Sequence, residues 1–388
     1  FALAHLAHHL VTALPVPLLP FIRDEFGLDY TRAALVISAF SIPYGFAQLP
    51  AGWLADRFGA RRLILLGITG VSIAGLAVGL STQYVAMLVA LGVMGAVGGG
   101  YHPSAPPLIA AVTEPARRGR ALGVHMIGGS ASYFVAPLIA AALAGIWGWR
   151  MPFIALAIPS IIYGVVFFVF LGRRERRSAS APASSARATV ASDGHIDWVS
   201  MTAFLVLTGI SAATVLSAVS FIPLYLVDVF GYAEATAALP VALFYSTGLW
   251  AAVTGGLLSD RIGPVRVVGG FAVLSAPLVA ALGLTGSDVA LIALLLLLGI
   301  GMYARAPASE AYIVGRTPAG KRSTVLGLYY FGSMEGSGVL APVFGYLIDT
   351  YGFMVAFSVT ALALLAVALV CVIVLRRGHA HGRGRVTG

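Results

Sequence analysis

Apolar runs of about 20 residues alternate with short polar turns along nearly the whole chain. A helix of about 20 residues crosses the hydrocarbon core of a bilayer, so the pattern predicts a repeatedly spanning, all-α membrane protein. Twelve spans are expected, at 1–22, 33–55, 63–81, 84–111, 120–145, 152–172, 201–228, 236–258, 266–286, 288–314, 324–348 and 352–375. Phe1–Phe21 runs straight into this architecture and reads as the first span, not as a cleavable signal. One segment breaks the alternation. It opens as Arg173-Arg174-Glu175-Arg176-Arg177 and continues Ser/Ala/Pro-rich to Ser192, the composition of a flexible linker. The expected organisation is a six-helix bundle over 1–172, a cytoplasmic linker over 173–199, a second bundle over 200–377 and a cytoplasmic tail over 378–388.

Composition agrees: 59% of the 388 residues are hydrophobic and 10% charged, where a soluble chain carries about 25%. The net charge of +9 raises the question of nucleic-acid binding, and its distribution answers it. Of the 24 Lys and Arg, Arg23, Arg32 and Arg150 fall in one set of alternating loops and Arg305 inside a span. The remaining 20 fall in the other set of loops and the tail. Positive residues mark the cytoplasmic side of a membrane protein, so both termini are expected inside, with the bilayer and not a nucleic acid as the basic residues' partner. The single cysteine, Cys371, has no mate for an internal disulfide, and no thiol-based metal or redox site is expected.

The turn Gly52-Trp53-Leu54-Ala55-Asp56-Arg57-Phe58-Gly59-Ala60-Arg61-Arg62 returns half a chain later as Gly256-Leu257-Leu258-Ser259-Asp260-Arg261-Ile262-Gly263-Pro264-Val265-Arg266. The offset that carries Asp56 onto Asp260 also pairs Arg57 with Arg261, Pro103 with Pro307 and Gly123 with Gly327. A single period of half the chain indicates two homologous halves. A G-x-x-x-D-R-x-G-x-R-R turn after the second span, echoed in the second half, resembles the major facilitator superfamily of secondary transporters. That resemblance implies two pseudo-symmetric six-helix bundles working by alternating access as a monomer. Spans 1, 4, 7 and 10 would line the cavity, with spans 3, 6, 9 and 12 outermost. The basic turns Arg117-Arg118-Gly119-Arg120 and Lys321-Arg322-Ser323 are expected to exchange salt bridges with Asp56 and Asp260, which gives gating roles to Asp56, Arg57, Arg61, Arg118, Asp260 and Arg261. The resemblance favours this for Asp56 and Arg57. The second copy departs in Pro264-Val265 before Arg266, so the first copy is expected to be the stronger gate.

Ionisable side chains inside a bilayer are costly and mark function. Away from the span ends, they avoid spans 3, 6, 9 and 12. His5, His8 and His9 lie on one face of span 1 at i, i+3 and i+4; His102 is in span 4, His125 in span 5, Arg305 and Glu310 in span 10, and Glu335 in span 11. Arg305 and Glu335 sit near mid-span, where opposite charges on neighbouring helices would pair. A guanidinium also suits a phosphate, phosphonate or carboxylate. Arg305, Tyr101, His102, Tyr133 and Tyr303 are the candidate substrate-binding residues. His5, His9, His125, Glu310 and Glu335 are the candidate proton carriers. The histidine spacing lacks a carboxylate or thiolate partner, so no metal site is assigned. No cofactor is expected beyond a proton gradient.

His5, the Leu14-Pro15 to Leu19-Pro20 stretch and Tyr101-His102-Pro103 after three glycines resemble the fosmidomycin-resistance branch of bacterial inner-membrane drug exporters. His9 stands where that branch is expected to carry an acid. The glycine-rich fifth span ends in Ala136-Pro137, where the superfamily's antiporter signature has Gly-Pro. The resemblance implies proton-coupled export of a small anionic or amphiphilic organic compound across a bacterial inner membrane. Proton-coupled uptake of an organic anion and a lipid or lysolipid flippase are the alternatives. No nucleophile–base constellation suggests an enzyme.

Overall fold

The structure, a computed structural model, describes residues 1–114, 117–178, 196–318 and 321–384. Among the described residues every regular element is a helix. Nine helices among the described residues are long and apolar enough to cross a bilayer, and ten if the bent pair Glu234–Leu249 and Ala251–Ile262 is one span. The longest, Thr324–Arg377, is broken at Gly352 (φ 81°), which divides it near the expected boundary of spans 11 and 12. The first expected span is also interrupted. Ala2–Thr12 and Leu19–Phe26 are helical, and the intervening Pro15 and Pro17 lack the N–H groups that would continue the ladder. Turn hydrogen bonds such as Leu14 N–H to Val11 O and Leu18 N–H to Leu14 O carry the chain across.

Several helices outrun their apolar cores. Tyr30–Phe58 extends the run 33–55 at both ends, because a polar end costs a helix nothing once it leaves the hydrocarbon. Arg150–Ser178 likewise carries helix into the basic stretch expected to be linker; residues 179–195 of that stretch lie outside the described residues. The chain resumes at Ile196, and Asp197 caps Trp198–Ser220 by accepting Ser200 N–H at 3.2 Å.

The duplication read from the turns is written into the backbone. Among the described residues six glycines have positive φ, at 27 (59°), 59 (88°), 148 (81°), 231 (72°), 263 (88°) and 352 (81°). They form three pairs, 27 with 231, 59 with 263 and 148 with 352, each separated by the offset that relates the two acidic turns. Gly59 and Gly263, with ψ of 130° and 149°, lie near a region open to almost no other residue. This is why each copy of the acidic turn carries glycine three positions after its aspartate.

By contacts the chain forms two compact units. The first comprises Phe1–Gly27, Ala39–Val190 and Tyr232–Ala242; the second comprises Leu28–Ser38, Ala191–Gly231 and Leu243–Gly388. Each therefore contains one short segment from the opposite half of the sequence, and the two segments, 28–38 and 232–242, are related by the same repeat. Within the first unit, the small residues of the fifth span admit the first span: a Cβ on Gly128 would strike Ala2 O, and one on Gly129 the His5 ring. Within the second, Gly336 lies so close to Trp198–Ser220 that a Cβ would come 2.8 Å from Ala213 Cβ. Outward faces carry large apolar side chains, among them Val85, Val253 and Leu362, as lipid contact requires.

Candidate functional site

The first unit buries a cluster of imidazoles. Ala2–Thr12 supplies His5, His8 and His9, and Arg118–Trp147 supplies His125. His102 comes from Tyr101–Val112, which starts after the helix break at Gly99 and Gly100. That break brings backbones together: a Cβ on Gly99 would lie 2.6 Å from Tyr44 O. His5 Nδ1 lies 2.9 Å from His125 O, and its ring stacks on that of His125 at 4.2 Å. His9 Nδ1 lies 3.1 Å from Thr12 Oγ1, and His9 Nε2 lies 3.1 Å from His102 Nε2.

His8 leaves the expected trio. Its Nδ1 meets Gly67 O at 2.6 Å, its Nε2 meets the Tyr44 hydroxyl at 3.0 Å, and its ring stacks on Tyr101 at 4.4 Å. Sequence spacing groups His8 with His5 and His9 on one face; the structure puts His102 in its place. Tyr101 is fully buried in a core cluster with Ile64, Ile68 and Phe167. Tyr133 is half-buried against His9, with ring centroids 4.8 Å apart.

The second unit buries a fixed charge. Arg305 is 3% exposed. Its guanidinium donates to Thr208 Oγ1 at 2.5 Å and approaches Met302 Sδ at 3.3 Å. The pairing with Glu335 expected from depth is corrected here: the arginine's partners are neutral. Equal depth fixes a position along the membrane normal but not around the helix axis. Thr208, on Trp198–Ser220, holds the angular position that meets the guanidinium. Glu335 closes a π-helical turn, Phe331–Glu335, that packs against Trp198–Ser220, and its side chain is buried. Arg305 and Met302 line a small pocket with Ser211, Ser275 and Phe271. Glu310 accepts a hydrogen bond from Tyr330 at 3.0 Å. Tyr303, half-buried, lies against Gly248, where a Cβ would come 2.9 Å from the ring.

The turn residues are disposed alike in both copies. Asp56 and Asp260 are exposed, and neither carboxylate has a hydrogen bond or ion pair among the described residues. Arg118 Nε donates to Ala110 O at 2.9 Å, and its counterpart Arg322 Nε donates to Thr317 O at 3.0 Å. Each guanidinium thus satisfies orphan carbonyls at the end of the preceding span, where a cation also meets the negative end of the helix dipole. Arg57 lies over Trp53 at 5.4 Å, Arg61 over Phe168 at 4.4 Å, and Arg261 is exposed.

Two polar constellations escaped the sequence reading. In the second unit Asp349 caps Tyr30–Phe58: it accepts Tyr30 N–H and Thr31 N–H, each at 2.9 Å, and the Thr31 hydroxyl at 2.5 Å. The repeat offers a signal, since Asp349 stands where the first half has Gly145, which packs on Ala235. In the first unit Arg150 grips Glu25 with two 2.6 Å hydrogen bonds, and Trp149 Nε1 adds a third at 2.7 Å. These donors, Arg150 foremost, hold the Glu25 carboxyl below its usual range.

Comparison with known proteins follows the same lines. The sequence model of the Major Facilitator Superfamily matches residues 1–248 and, separately, 204–388. Multidrug resistance protein MdtG of Dickeya zeae is 27% identical over 377 residues, covering 94% of this chain and 91% of that protein. The probable sulfoacetate transporter SauU of Cupriavidus necator is 25% identical over 356 residues, covering 86% and 82%. Among solved structures, a bacterial homologue of the human lysosomal transporter Spinster superposes with a TM-score of 0.76 at 17% identity, covering 98% of this chain and 96% of that one. A POT family transporter in complex with 5-aminolevulinic acid gives 0.78 at 13% identity, covering 97% and 95%.

Proposed function

The chain belongs to the Major Facilitator Superfamily and is a multi-pass membrane transporter, and from that premise we propose that it exports a small organic anion or anionic amphiphile in exchange for protons, by alternating access, across a bacterial inner membrane with both termini in the cytoplasm. The observation that carries the anionic substrate is Arg305, a buried guanidinium that meets only neutral groups, the hydroxyls of Thr208 and Tyr329 and the Met302 thioether. Arginine keeps its charge where lysine or histidine would shed it, and a charge buried among neutral groups is expensive. A carboxylate, phosphonate or sulfonate admitted to Arg305 when the helices bearing Ser211 and Ser275 part would offset that cost and take both prongs of the fork.

Glu335 is the proton carrier in this reading, with Glu310 and its Tyr330 partner as the second acid. Export is favoured by the full-length likeness to a protein named for multidrug resistance. Uptake is the second reading, favoured by the likeness to a probable sulfoacetate transporter, because Arg305 serves either direction. The Asp349 cap gives the cycle a contact to break: whenever segment 28–38 leaves the second unit, Tyr30 and Thr31 must exchange that carboxylate for water.

Everted membrane vesicles test direction and coupling together. With the lumen acidified, an exporter concentrates organic anions inside, and collapsing the pH gradient stops it. Accumulation indifferent to the gradient would refute proton coupling, and accumulation only with the gradient reversed would refute export.

A further inference from the structure

We propose that His5, His9 and His102 form a binding site for one divalent transition-metal ion of the zinc class, with a fourth coordination position open. Their ligand nitrogens all lie within 4.8 Å of one another. The three ring centroids make a nearly equilateral triangle, with sides of 5.0, 5.1 and 5.2 Å. Nitrogens bound at about 2.0–2.1 Å in a tetrahedral shell stand roughly 3.3 Å apart. The 3.1 Å between His9 Nε2 and His102 Nε2 is already close to that. The third nitrogen needs to close by at most about 1.5 Å to complete the set, within the reach of a small ring rotation.

The hydrogen bonds around the cluster aim its lone pairs inward. His5 Nδ1–H donates to His125 O, which leaves Nε2 as the ring's acceptor. That atom is buried, in a residue 2% exposed, and has no hydrogen-bond partner. A buried nitrogen with an unused lone pair calls for a ligand. The Thr12 hydroxyl donates to His9 O, so its oxygen accepts from His9 Nδ1–H, and His9 Nε2 also presents a lone pair. A metal-binding histidine ordinarily donates its other N–H in this way, to a carbonyl or a side-chain oxygen. In the metal-free cluster His102 Nε2–H donates to His9 Nε2; the ion takes the place of that proton, which moves to His102 Nδ1. His8 is excluded, because both its nitrogens are engaged. Three neutral imidazoles suit Zn(II), Co(II) or Ni(II) and not a hard cation such as magnesium or calcium. With His102 the least buried of the three, the open position is left to water or to an anionic group of a substrate.

The site is independent of the reading of Arg305, since it uses other residues in another unit. The test uses the full-length protein in detergent, stripped with a chelator, with His195, His379 and His381 replaced by alanine to remove the imidazoles outside the buried cluster. Cobalt(II) alone is added, and the visible spectrum and bound stoichiometry are read. One cobalt per chain with the d–d bands of a low-symmetry four-coordinate site is expected, displaced by zinc(II). His102→Ala and His9→Gln should each weaken binding at least about tenfold, and Thr12→Val, which removes the support of His9, about tenfold. Absence of cobalt bands in the parent protein would overturn the proposal whatever the variants do. So would binding left unchanged by both His102→Ala and His9→Gln in variants that elute as the parent does.

Discussion

The two units bury polarity in opposite ways. In the first, five imidazoles pack against one another, each able to enter the interior as a neutral ring. Carbonyls, Thr12 and Tyr44 take up ring nitrogens there, and what remains is an unused lone pair on His5 Nε2 beside the His9–His102 hydrogen bond. In the second, a guanidinium that cannot shed its charge lies against Thr208, Tyr329 and Met302, and what remains is a positive charge met by neutral groups alone. A surplus of lone pairs calls for a cation and a surplus of charge for an anion. The same fold, duplicated, thus offers complementary chemistry in its halves.

The sharpest way to break this contrast is to change Arg305. Arg305→Lys keeps a cation but loses the planar fork, and hydrogen bonds to charged groups contribute about 1.5–3 kcal/mol each. Uptake of organic anions into everted vesicles should fall by about 10- to 100-fold; equal rates would leave Arg305 a packing residue. Glu335→Gln should come next. Exchange of labelled for unlabelled substrate across the membrane should persist while accumulation driven by the pH gradient is lost. If gradient-driven accumulation survives, the carboxylate is not the proton carrier.

Backbone tests address the symmetry beneath the contrast. Gly59→Ala and Gly263→Ala place a Cβ in a conformation that costs about 1–3 kcal/mol, so both should lower the melting temperature by similar amounts. Equal insensitivity would mean that the turns relax. Asp349→Ala removes a helix cap worth about 1 kcal/mol from the second unit alone, where the first has Gly145. It should shift an accessibility equilibrium, read by cysteine labelling near residue 28, by about five-fold. The smallest effect belongs to Glu25, held in the charged form by Arg150. An acid whose folded pKa is depressed lends stability above its unfolded value and loses it as the pH falls through the folded one. The first unit should therefore soften below about pH 4, and Glu25→Gln should reduce that acid sensitivity.

The fold was largely legible because two signals in it are linear along the chain. Apolar runs of membrane length mark the helices, and a repeated acidic turn marks the duplication. The repeat extends beyond its turns: Gly27 with Gly231 and Gly148 with Gly352 obey the same offset, but a glycine shows its φ only in three dimensions. The candidate sites were legible as residues and not as constellations. Hydropathy gives depth, which suggested Arg305 with Glu335. Pairing also depends on the angle around each helix, and that was altered by a π turn beside Glu335. In the same way the i, i+3, i+4 spacing grouped His8 with His5 and His9, whereas Gly67 and Tyr44 claim His8 and the helix break at Gly99–Gly100 delivers His102. Asp349 stands out from the repeat only as a departure from Gly145; its partners Tyr30 and Thr31 lie in the opposite half of the sequence, so its role as a cap needs the fold.

Most of the functional reading turns on the buried charge at Arg305, and proteoliposomes that report proton movement test it most directly. Phosphonates, organic acids, uncharged lipophilic drugs and lysolipids would be added in turn to wild-type protein and to Arg305→Ala. A proton signal with the small anions is expected to disappear in the variant, while any signal with uncharged compounds is spared. Anion signals of equal size in the two proteins would contradict an anion site at Arg305.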